Sequence, residues 1–454
     1  MRLSRRTWLT CLALYLIGQI FFLINIGFPA KQNFDEFHYV PAAKSFLELK
    51  ESRNYEHPPL AKELMAVSIG VFGDNPLGWR FISTVFGSIT LVGMYLWGLA
   101  VFGNQAGALL VASLTMVNQL LYVQSRIGML DTFMMAFLSL AAAGFCAFWK
   151  SELDARVQRK LLLVTGICLG LATSCKWFAV IPWVGFLGLI ALIRLFQSWN
   201  TRFAGVDSPK SPLNRDHNHN DGPEEFYSPA LWQNLSLRDF IIYLGIVPCA
   251  AYFATFLPFL FFTKADGNGT FEILDLFKMQ YRMWDGQMRV VTPHPYGSLW
   301  HQWPLMNRPI WYAFDKEGDT KQWVRGVVLL GNPWIMWGGL LALLYSFWEW
   351  VKTRSRSAFL ILAFYGMFMF SWPFVPRKLS FYYYYYPAGM TLSLAMTQVL
   401  QCWNNPAHLR HWRIAAATML LIAFVLFVYF FPILSGELIP SDSFRKWMWM
   451  RRWI

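Results

Sequence analysis

Two adjacent carboxylates, Asp35 and Glu36, come directly after an apolar segment that is long enough to span a membrane. The loop that follows ends in the motif His57-Pro58-Pro59-Leu60-Ala61-Lys62, shortly before the next apolar segment. A carboxylate can act as a general base, and a lysine can stabilise a departing anion. We therefore interpret residues 30–77 as a first outer loop with an acidic catalytic motif, in which Asp35 and Glu36 are the candidate catalytic residues. The alternative is an ordinary polar loop between two membrane helices.

The residue composition places these side chains in a membrane protein. Of the 454 residues, 56% are hydrophobic, 18% aromatic and only 14% charged, whereas about 25% are charged in a soluble domain. Long apolar segments recur along the chain, which is typical of an all-α polytopic membrane protein. The net charge is +13, but the basic residues lie mainly between apolar segments, where they set topology and contact lipid head groups. Because no basic stripe lies on a polar domain, nucleic acid is not expected as a partner.

The apolar segments predict about eleven transmembrane helices in a single domain, 1–454. They lie near residues 8–29, 78–102, 106–122, 129–149, 160–175, 177–197, 238–262, 326–350, 357–374, 380–402 and 412–434. The basic residues Arg2, Arg5 and Arg6 place the N-terminus in the cytoplasm under the positive-inside rule. An odd number of spans then places the C-terminus at the outer face.

Two longer polar segments separate these spans. Residues 198–237, rich in Pro, Asn, Gly and charge, are predicted to form a flexible cytoplasmic linker loop. Residues 263–325 are the second large outer loop, and the stretch 271–284 within it predicts an amphipathic helix. The following stretch, 292–314, is dense in Trp, Tyr, His and Pro, which favours a rigid rim against the membrane surface that could bind a sugar. An interfacial aromatic belt is the alternative for this stretch.

Charged and aromatic side chains gather at the predicted outer ends of several spans. Charges near membrane depth are costly and tend to mark function, whereas the alternative for any single Lys or Arg is snorkelling from a helix end. A lipid phosphate needs cations at head-group depth, and four residues are candidates for this contact: Lys62, Arg126, Arg377 and Lys378. The remaining pocket candidates are His57, Asp131, Lys176, His294, Arg308, Tyr382 and Tyr383.

This set of residues suits the transfer of a sugar from a polyprenyl phosphate, whose tail would lie in a groove between apolar helices. A carboxylate would deprotonate the acceptor hydroxyl while fixed cations stabilise the departing phosphate, so that a single displacement inverts the anomeric centre. The acid pair could also hold a divalent metal, but no ligand set closes around it and no metal site is predicted. The sequence has no P-loop and no HExxH motif, which leaves a nucleotide-fuelled pump or a zinc protease without support.

A series of short motifs runs through the chain. In order they are Phe34-Asp35-Glu36, the His57–Lys62 motif, Asn75-Pro76-Leu77-Gly78-Trp79-Arg80, Ser125-Arg126-Ile127-Gly128-Met129-Leu130-Asp131, Lys176-Trp177, His294-Pro295-Tyr296, Trp303-Pro304-Leu305-Met306-Asn307-Arg308-Pro309, Gly331-Asn332-Pro333 and the run Tyr382–Tyr386. In these motifs and in its pattern of spans the chain resembles the protein O-mannosyltransferase family. Members of that family are integral membrane enzymes of the GT-C fold that use polyprenyl-phosphate mannose.

The resemblance implies a function and a location. It makes Asp35 the leading catalytic base with Glu36 beside it, and Arg126 the phosphate-binding or active-site arginine. The donor would be a polyprenyl-phosphate sugar with mannose as the expected sugar, and the acceptors would be Ser and Thr hydroxyls of exported proteins. Residues 263–325 are too few for the large outer-loop domain of the eukaryotic enzymes. The chain therefore resembles the prokaryotic form, which implies a bacterial or archaeal inner or plasma membrane with the active site on its outer face.

Two alternatives to this activity stay open at the level of sequence. The same chemistry could serve a lipid or glycan acceptor, because the related aminoarabinose transferases of lipid A share the architecture and the acidic first loop. A transporter or lipid flippase would instead show repeated halves and charged or broken helices in mid-membrane. Here the charges lie at one face and no repeat is evident.

Overall fold

A computed structural model describes residues 4–52, 54–149, 153–203, 231–232 and 234–453 of the chain. This part is mostly helical. Its α-helices are α1 (Arg5–Leu23), α2 (Glu36–Leu47), α3 (Leu60–Phe72), α4 (Pro76–Phe102), α5 (Gln105–Met116), α6 (Gln119–Gln124), α7 (Leu130–Phe148), α8 (Ala155–Cys175), α9 (Val180–Phe203), α10 (Leu237–Ile241), α11 (Val247–Ala254), α12 (Ile273–Met288), α13 (Pro333–Thr353), α14 (Arg356–Phe370), α15 (Tyr386–Leu400) and α16 (Leu409–Ser435).

Local sequence signals set the ends of the long helices. Helix α4 begins at Pro76 behind Asn75, whose side chain accepts hydrogen bonds from the backbone of the first turn. It ends at Gly103, which adopts the left-handed conformation with φ 71° that glycine reaches without strain. Asn104 then caps α5 in the same way. The chain therefore turns back on itself within a few residues, and α4 and α5 pack side by side.

Helices lie at all of the predicted spans, but seven of those described are long and apolar enough to cross a membrane. The predicted count of eleven is therefore not confirmed, although a multi-span membrane protein is. The predicted span 106–122 shows one reason, because it is broken into α5 and α6 at Asn118, which caps α6. The buried Asn332 side chain donates to the carbonyl oxygens of Val117, at 3.1 Å, and Ala423, at 2.8 Å. The bond to Val117 satisfies a backbone carbonyl at the break between α5 and α6.

Small residues bring the central helices together. A Cβ atom at Gly93 of α4 would collide with the Ser139 hydroxyl of α7, and one at Gly87 would collide with Ser125. Such close approach is how helices associate in lipid, where van der Waals contact replaces the hydrophobic driving force. Helix α7 is accordingly buried along most of its length, and it forms the centre of the bundle.

The polar loops are more structured than the sequence predicted, and most of this structure lies at one end of the bundle, which we call the site face. Loop 30–77 contains helices α2 and α3, and the predicted amphipathic helix is confirmed as α12. The departure from an all-α fold is an antiparallel sheet in the order β1 (Ile310–Glu317), β2 (Trp323–Leu329) and β3 (Ile439–Pro440). Strand β2 contains the first residues of predicted span 326–350, whose helix starts only at Pro333. The prediction of a helix at Val327–Leu330 is wrong, because a buried strand and a buried helix segment share this apolar composition.

The predicted linker loop 198–237 lies partly within the described residues. Helix α9 extends to Phe203, and residues 204–230 lie outside the described part. Beyond them, Leu231 and Trp232 are buried, and the Trp232 ring stacks on Phe148 with centroids 5.1 Å apart. The end of this segment is therefore packed against α7, at the opposite end of that helix from the site face.

Candidate active site

Asp35 lies at the N-terminal end of α2, where the chain leaves the first helix and turns through Phe34 with φ 51°. Its side chain is half-buried, and the Tyr39 hydroxyl donates a hydrogen bond of 3.3 Å to its Oδ2 atom from one turn further along α2. Burial raises the pKa of the Asp35 carboxyl, the nearby Asp131 charge raises it further, and the Lys176 charge opposes both. A carboxylate with a raised pKa accepts a proton more readily, as a general base must.

Glu36 has a different environment from its neighbour. It is fully buried, and its two oxygens accept hydrogen bonds from Nε of Arg80 at 2.7 Å and from Nη2 at 2.8 Å. Its Oε1 atom also accepts from the Gly128 backbone N–H at 2.7 Å, and its Oε2 atom accepts from the Asn33 N–H at 3.1 Å. These four bonds join α2 to α4 and to the turn before α7. The side chain holds the loop in place and directs Asp35 away from the same partners.

A buried ion pair lies beside Asp35. The Lys176 ammonium is 2.9 Å and 2.7 Å from the two Asp131 oxygens, which ties the end of α8 to the first turn of α7. The same ammonium lies over the rings of Tyr383 and Tyr384, at 4.5 Å and 4.7 Å from their centroids. Three of the predicted pocket residues, Asp131, Lys176 and Tyr383, therefore lie together. The aromatic faces add a cation–π attraction to this ion pair.

Arg377 approaches the same cluster from the loop between α14 and α15. Its Nη1 atom donates to Oε1 of Gln287 at 2.8 Å, and its guanidinium lies 5.2 Å from the centroid of Tyr384. The Gln287 amide in turn donates to the Glu56 carbonyl at 2.7 Å and lies 3.3 Å from Nδ1 of His57. The His57 ring faces Tyr39 at 6.0 Å between centroids, which closes a ring of contacts back to Asp35. Burial and the surrounding cations lower the pKa of His57 well below its usual value.

Two of the other predicted phosphate-binding cations have backbone partners. The buried Arg126 donates to the carbonyls of Leu434 at 3.0 Å and Asn25 at 2.6 Å, and so joins the ends of α16 and α1. It is on the same face as Asp35, since Gly128, two residues further on, contacts Glu36. Lys62 is also buried and donates to the carbonyls of Asn54 at 2.7 Å and His57 at 2.8 Å. Burial lowers the pKa of Lys62 to about 7.

The last four predicted residues differ in their settings: His294 and Arg308 lie at the rim, Lys378 lies at the surface and Tyr382 is enclosed. The exposed His294 packs on Phe34, with ring centroids 5.6 Å apart, directly before Asp35 in the chain. Arg308 donates to the carbonyl of Pro295 at 2.8 Å and thereby holds the segment that carries His294. Lys378 is exposed. Tyr382, in contrast, is fully buried among the helices.

Several contact residues of the site were not singled out from the sequence. Tyr39 could have been, because a residue four positions after Asp35 lies on the same face of a helix. Gln287 and Tyr312 carried no such signal, since their contacts depend on elements that are distant in the sequence. Tyr312 comes from the unpredicted strand β1; its hydroxyl donates to Oε1 of Gln124 at 3.0 Å, and its ring lies 5.3 Å from that of Phe34.

A groove of about 600 Å³ runs along α2. It lies between this helix and the turn at residues 263–267, and its polar lining includes His38, Asn54, Glu56 and Lys264. In the described part of the chain, no three side chains of His, Cys, Asp or Glu come together as a metal site would require. The geometry therefore provides a half-buried carboxylate, two nearby cations, an aromatic rim and a groove along α2 at one end of a membrane bundle.

Known structures place this bundle in a class. The yeast (S. cerevisiae) protein O-mannosyltransferase Pmt1-Pmt2 complex, solved with the sugar donor bound, contains a chain that matches with a TM-score of 0.79 and 15% identity, over 100% of this chain and 93% of that one. ArnT from Cupriavidus metallidurans, solved with undecaprenyl phosphate, matches with a TM-score of 0.59 and 11% identity over 96% and 78%. The fold is therefore the GT-C fold of membrane glycosyltransferases.

Sequence comparison identifies the family within this class. The family model for dolichyl-phosphate-mannose-protein mannosyltransferase matches residues 71–258, and the model for the C-terminal four-helix membrane region of protein-O-mannosyltransferase matches residues 273–453. A polyprenol-phosphate-mannose–protein mannosyltransferase of Corynebacterium glutamicum is 26% identical, over 100% of this chain and 94% of the relative. The one from Mycobacterium tuberculosis is 23% identical over 99% and 92%. The chain belongs to the protein O-mannosyltransferase family.

Proposed function

We propose that this protein transfers mannose from a polyprenyl-phosphate-mannose donor to Ser and Thr hydroxyls of exported proteins, with Asp35 as the general base. The observation that carries the proposal is the setting of Asp35. It is the half-buried carboxylate of the acidic pair, it has a raised pKa, and it lies next to two cations under an aromatic rim. The family models match residues 71–258 and 273–453, so the role of Asp35 rests on this geometry and not on those matches.

The reaction we propose is one displacement. Asp35 takes the proton of the acceptor hydroxyl while the hydroxyl oxygen attacks the anomeric carbon of mannose. The bond between that carbon and the phosphate oxygen breaks, and the polyprenyl phosphate departs with the electron pair. Attack from the side opposite the phosphate inverts the anomeric centre, and no covalent enzyme intermediate forms.

The cations around Asp35 stabilise the departing phosphate. Arg377 is half-buried and is held by Gln287 with its guanidinium toward the cluster. Lys176 is already paired with Asp131, so its charge acts on the site as part of a fixed ion pair. Charges fixed before the reaction stabilise a developing anion without reorganisation. Arg126 and Lys62, which are bonded to backbone carbonyls, take a positioning role in this scheme, as does Glu36.

The location follows from the same argument. The site face would be the outer face, because the basic residues that separate the spans favour a cytoplasmic position for the opposite ends. The donor phosphate would remain at head-group level, with its tail between apolar helices. The acceptor would reach Asp35 from water, and the groove along α2 offers room for a polypeptide segment.

The test uses the purified protein in lipid vesicles with labelled polyprenyl-phosphate mannose and a Ser/Thr-rich peptide. The expected product is a peptide that carries mannose. The anomeric configuration of this mannose, α or β, is the opposite of that in the donor. If the label appeared in a lipid or glycan and the peptide stayed unlabelled, the acceptor would be a lipid or glycan and not a protein. Movement of intact donor across the bilayer without transfer would contradict an enzyme and support a flippase.

A further inference from the structure

The chain folds back along α16 after that helix ends. Ile439 and Pro440 form β3 on the edge of the sheet, and the next residues return toward the membrane. The Tyr429 hydroxyl donates to the Lys446 carbonyl at 2.7 Å, and the Trp447 indole donates to the Tyr429 carbonyl. Tyr429 lies six residues before the end of α16, which corresponds to about 9 Å along the helix axis. Residues 441–453, which we call the strap, therefore lie below the end of a membrane helix.

The flank of α16 beside the strap is apolar and exposed. Val425 and Val428 are about half exposed, and they belong to a helix apolar enough to span the membrane. Trp449 of the strap packs on Phe430 with ring centroids 5.0 Å apart, yet it remains 44% exposed. Tryptophan at the edge of an apolar helix surface is typical of the interface between hydrocarbon and head groups. The strap therefore lies at head-group depth.

The strap presents positive charge at this depth. It carries four exposed basic residues, and none of them forms an ion pair within the described part of the chain: Arg445, Lys446, Arg451 and Arg452. Basic residues near a bilayer surface are attracted by anionic lipids, and aromatic side chains beside them anchor the segment in the interface. The complementary partner is thus the phosphate of an anionic phospholipid.

The strap is also bonded to the rim of the site. The Trp453 indole donates to the Met306 carbonyl at 2.7 Å, and the Trp311 indole donates to the Trp453 carbonyl at 2.8 Å. Arg308, two residues after Met306, contacts the carbonyls of Arg452 and Pro295. Pro295 follows His294, whose ring lies on Phe34 beside Asp35. A continuous set of contacts therefore leads from the strap to the residue before the proposed base.

From these contacts we infer that the strap binds anionic phospholipid head groups of the surrounding bilayer and thereby holds the acceptor-side rim of the active site. The part of this inference that concerns activity rests on the proposed mannosyl transfer. The lipid-binding part does not, because it depends only on the position and charge of the strap.

The first experiment measures lipid binding by native mass spectrometry, with phosphatidylglycerol titrated into the purified protein. The double variant Arg451→Gln with Arg452→Gln is compared with Arg410→Gln with Arg413→Gln, which removes two exposed charges at the other end of α16. We expect the strap variant to bind phosphatidylglycerol more weakly by about fivefold for each charge removed, beyond any loss in the matched variant. Equal affinity of the two variants would overturn the inference.

The second experiment measures transfer in vesicles of phosphatidylcholine alone and of phosphatidylcholine with phosphatidylglycerol in about equal amounts. For the wild type we expect a lower KM for the acceptor peptide with phosphatidylglycerol and an unchanged KM for the donor. The strap variant should lose this difference, and Trp453→Phe, which removes the indole donor, should raise the peptide KM without changing lipid binding. Weak lipid binding together with an unaltered peptide KM would overturn the link to the rim. Absence of transfer by the wild type in both vesicles would instead contradict the proposed function.

Discussion

The Glu36 carboxylate and the Arg80 guanidinium form a fully buried ion pair with two hydrogen bonds, of 2.7 Å and 2.8 Å. This pair fixes the orientation of α2 against α4. Because adjacent residues of a helix point about 100° apart, it also determines that the neighbouring Asp35 faces the cluster of Lys176, Tyr39 and Arg377. One carboxylate of the acidic motif thus positions the other.

Replacement of Asp35 by Asn should abolish transfer in a protein that stays folded. The amide keeps the shape of the side chain but cannot accept the hydroxyl proton, and loss of a general base lowers rates by about 10²- to 10⁴-fold. Turnover of the labelled donor with a Ser/Thr peptide is the measurement. Asp319→Asn, at the exposed turn between β1 and β2, is the matched control and should transfer at the wild-type rate. If Asp35→Asn kept more than about half of the activity, the base would have to be another group.

Replacement of Glu36 by Gln should mainly lower the free energy of unfolding. Removal of one partner leaves the Arg80 charge buried without compensation, which destabilises proteins by about 3–5 kcal/mol. The measurement is thermal unfolding of the purified protein in detergent, in which the variant should have a lower midpoint temperature. In a double-mutant cycle with Arg80→Gln, the two losses should be far from additive, because both variants remove the same pair. Additive losses would show that the two side chains do not stabilise the fold as a unit.

Arg377 and Lys378 are adjacent and differ in their setting, which makes them a matched pair. Arg377 is held toward Asp35 by Gln287, and Lys378 is exposed. We expect Arg377→Gln to lower kcat by about 10²-fold or more, because a fixed charge stabilises the departing phosphate mainly in the transition state. Lys378→Gln should leave kcat and the KM for the donor nearly unchanged. The reverse pattern would assign the phosphate contact to the exposed lysine.

The pH dependence of transfer should report the pKa of Asp35. Because burial and the Asp131 charge raise this pKa, the acid limb of kcat/KM should lie above the ordinary aspartate value of about 3.9. Only the deprotonated form accepts a proton, so the rate falls as the pH decreases through this pKa. Asp131→Asn removes the like charge and releases Lys176 to act on Asp35, and both changes lower the pKa. The acid limb should therefore move to lower pH, whatever happens to the maximal rate, and a shift to higher pH would contradict this assignment.

Much of the architecture follows from the sequence by itself. The apolar segments marked each helix position of the bundle, because lipid requires long apolar helices and tolerates few alternatives. The acidic motif, the pair Asp131 and Lys176 and the tyrosine run were visible as polar or charged groups near membrane depth, which is rare without a function. The motifs also identified the family. These features depend on the local composition and on the order of residues, and both can be seen in a single sequence.

Other features were decided only by the tertiary structure. The different environments of Asp35 and Glu36 could not be derived from the sequence, since they depend on Arg80, 44 residues further along the chain. The sequence predicted helix where β2 ends, because a buried strand and a buried helix segment share an apolar composition. One of the two pairing partners of that strand, β3, also lies far along the chain. The sequence made Lys62 and Arg126 candidates to bind a lipid phosphate but did not indicate that backbone carbonyls bond both of them. Local patterns state which groups are available. Which partner each group meets is a long-range property, and the buried contacts of the folded chain determine it.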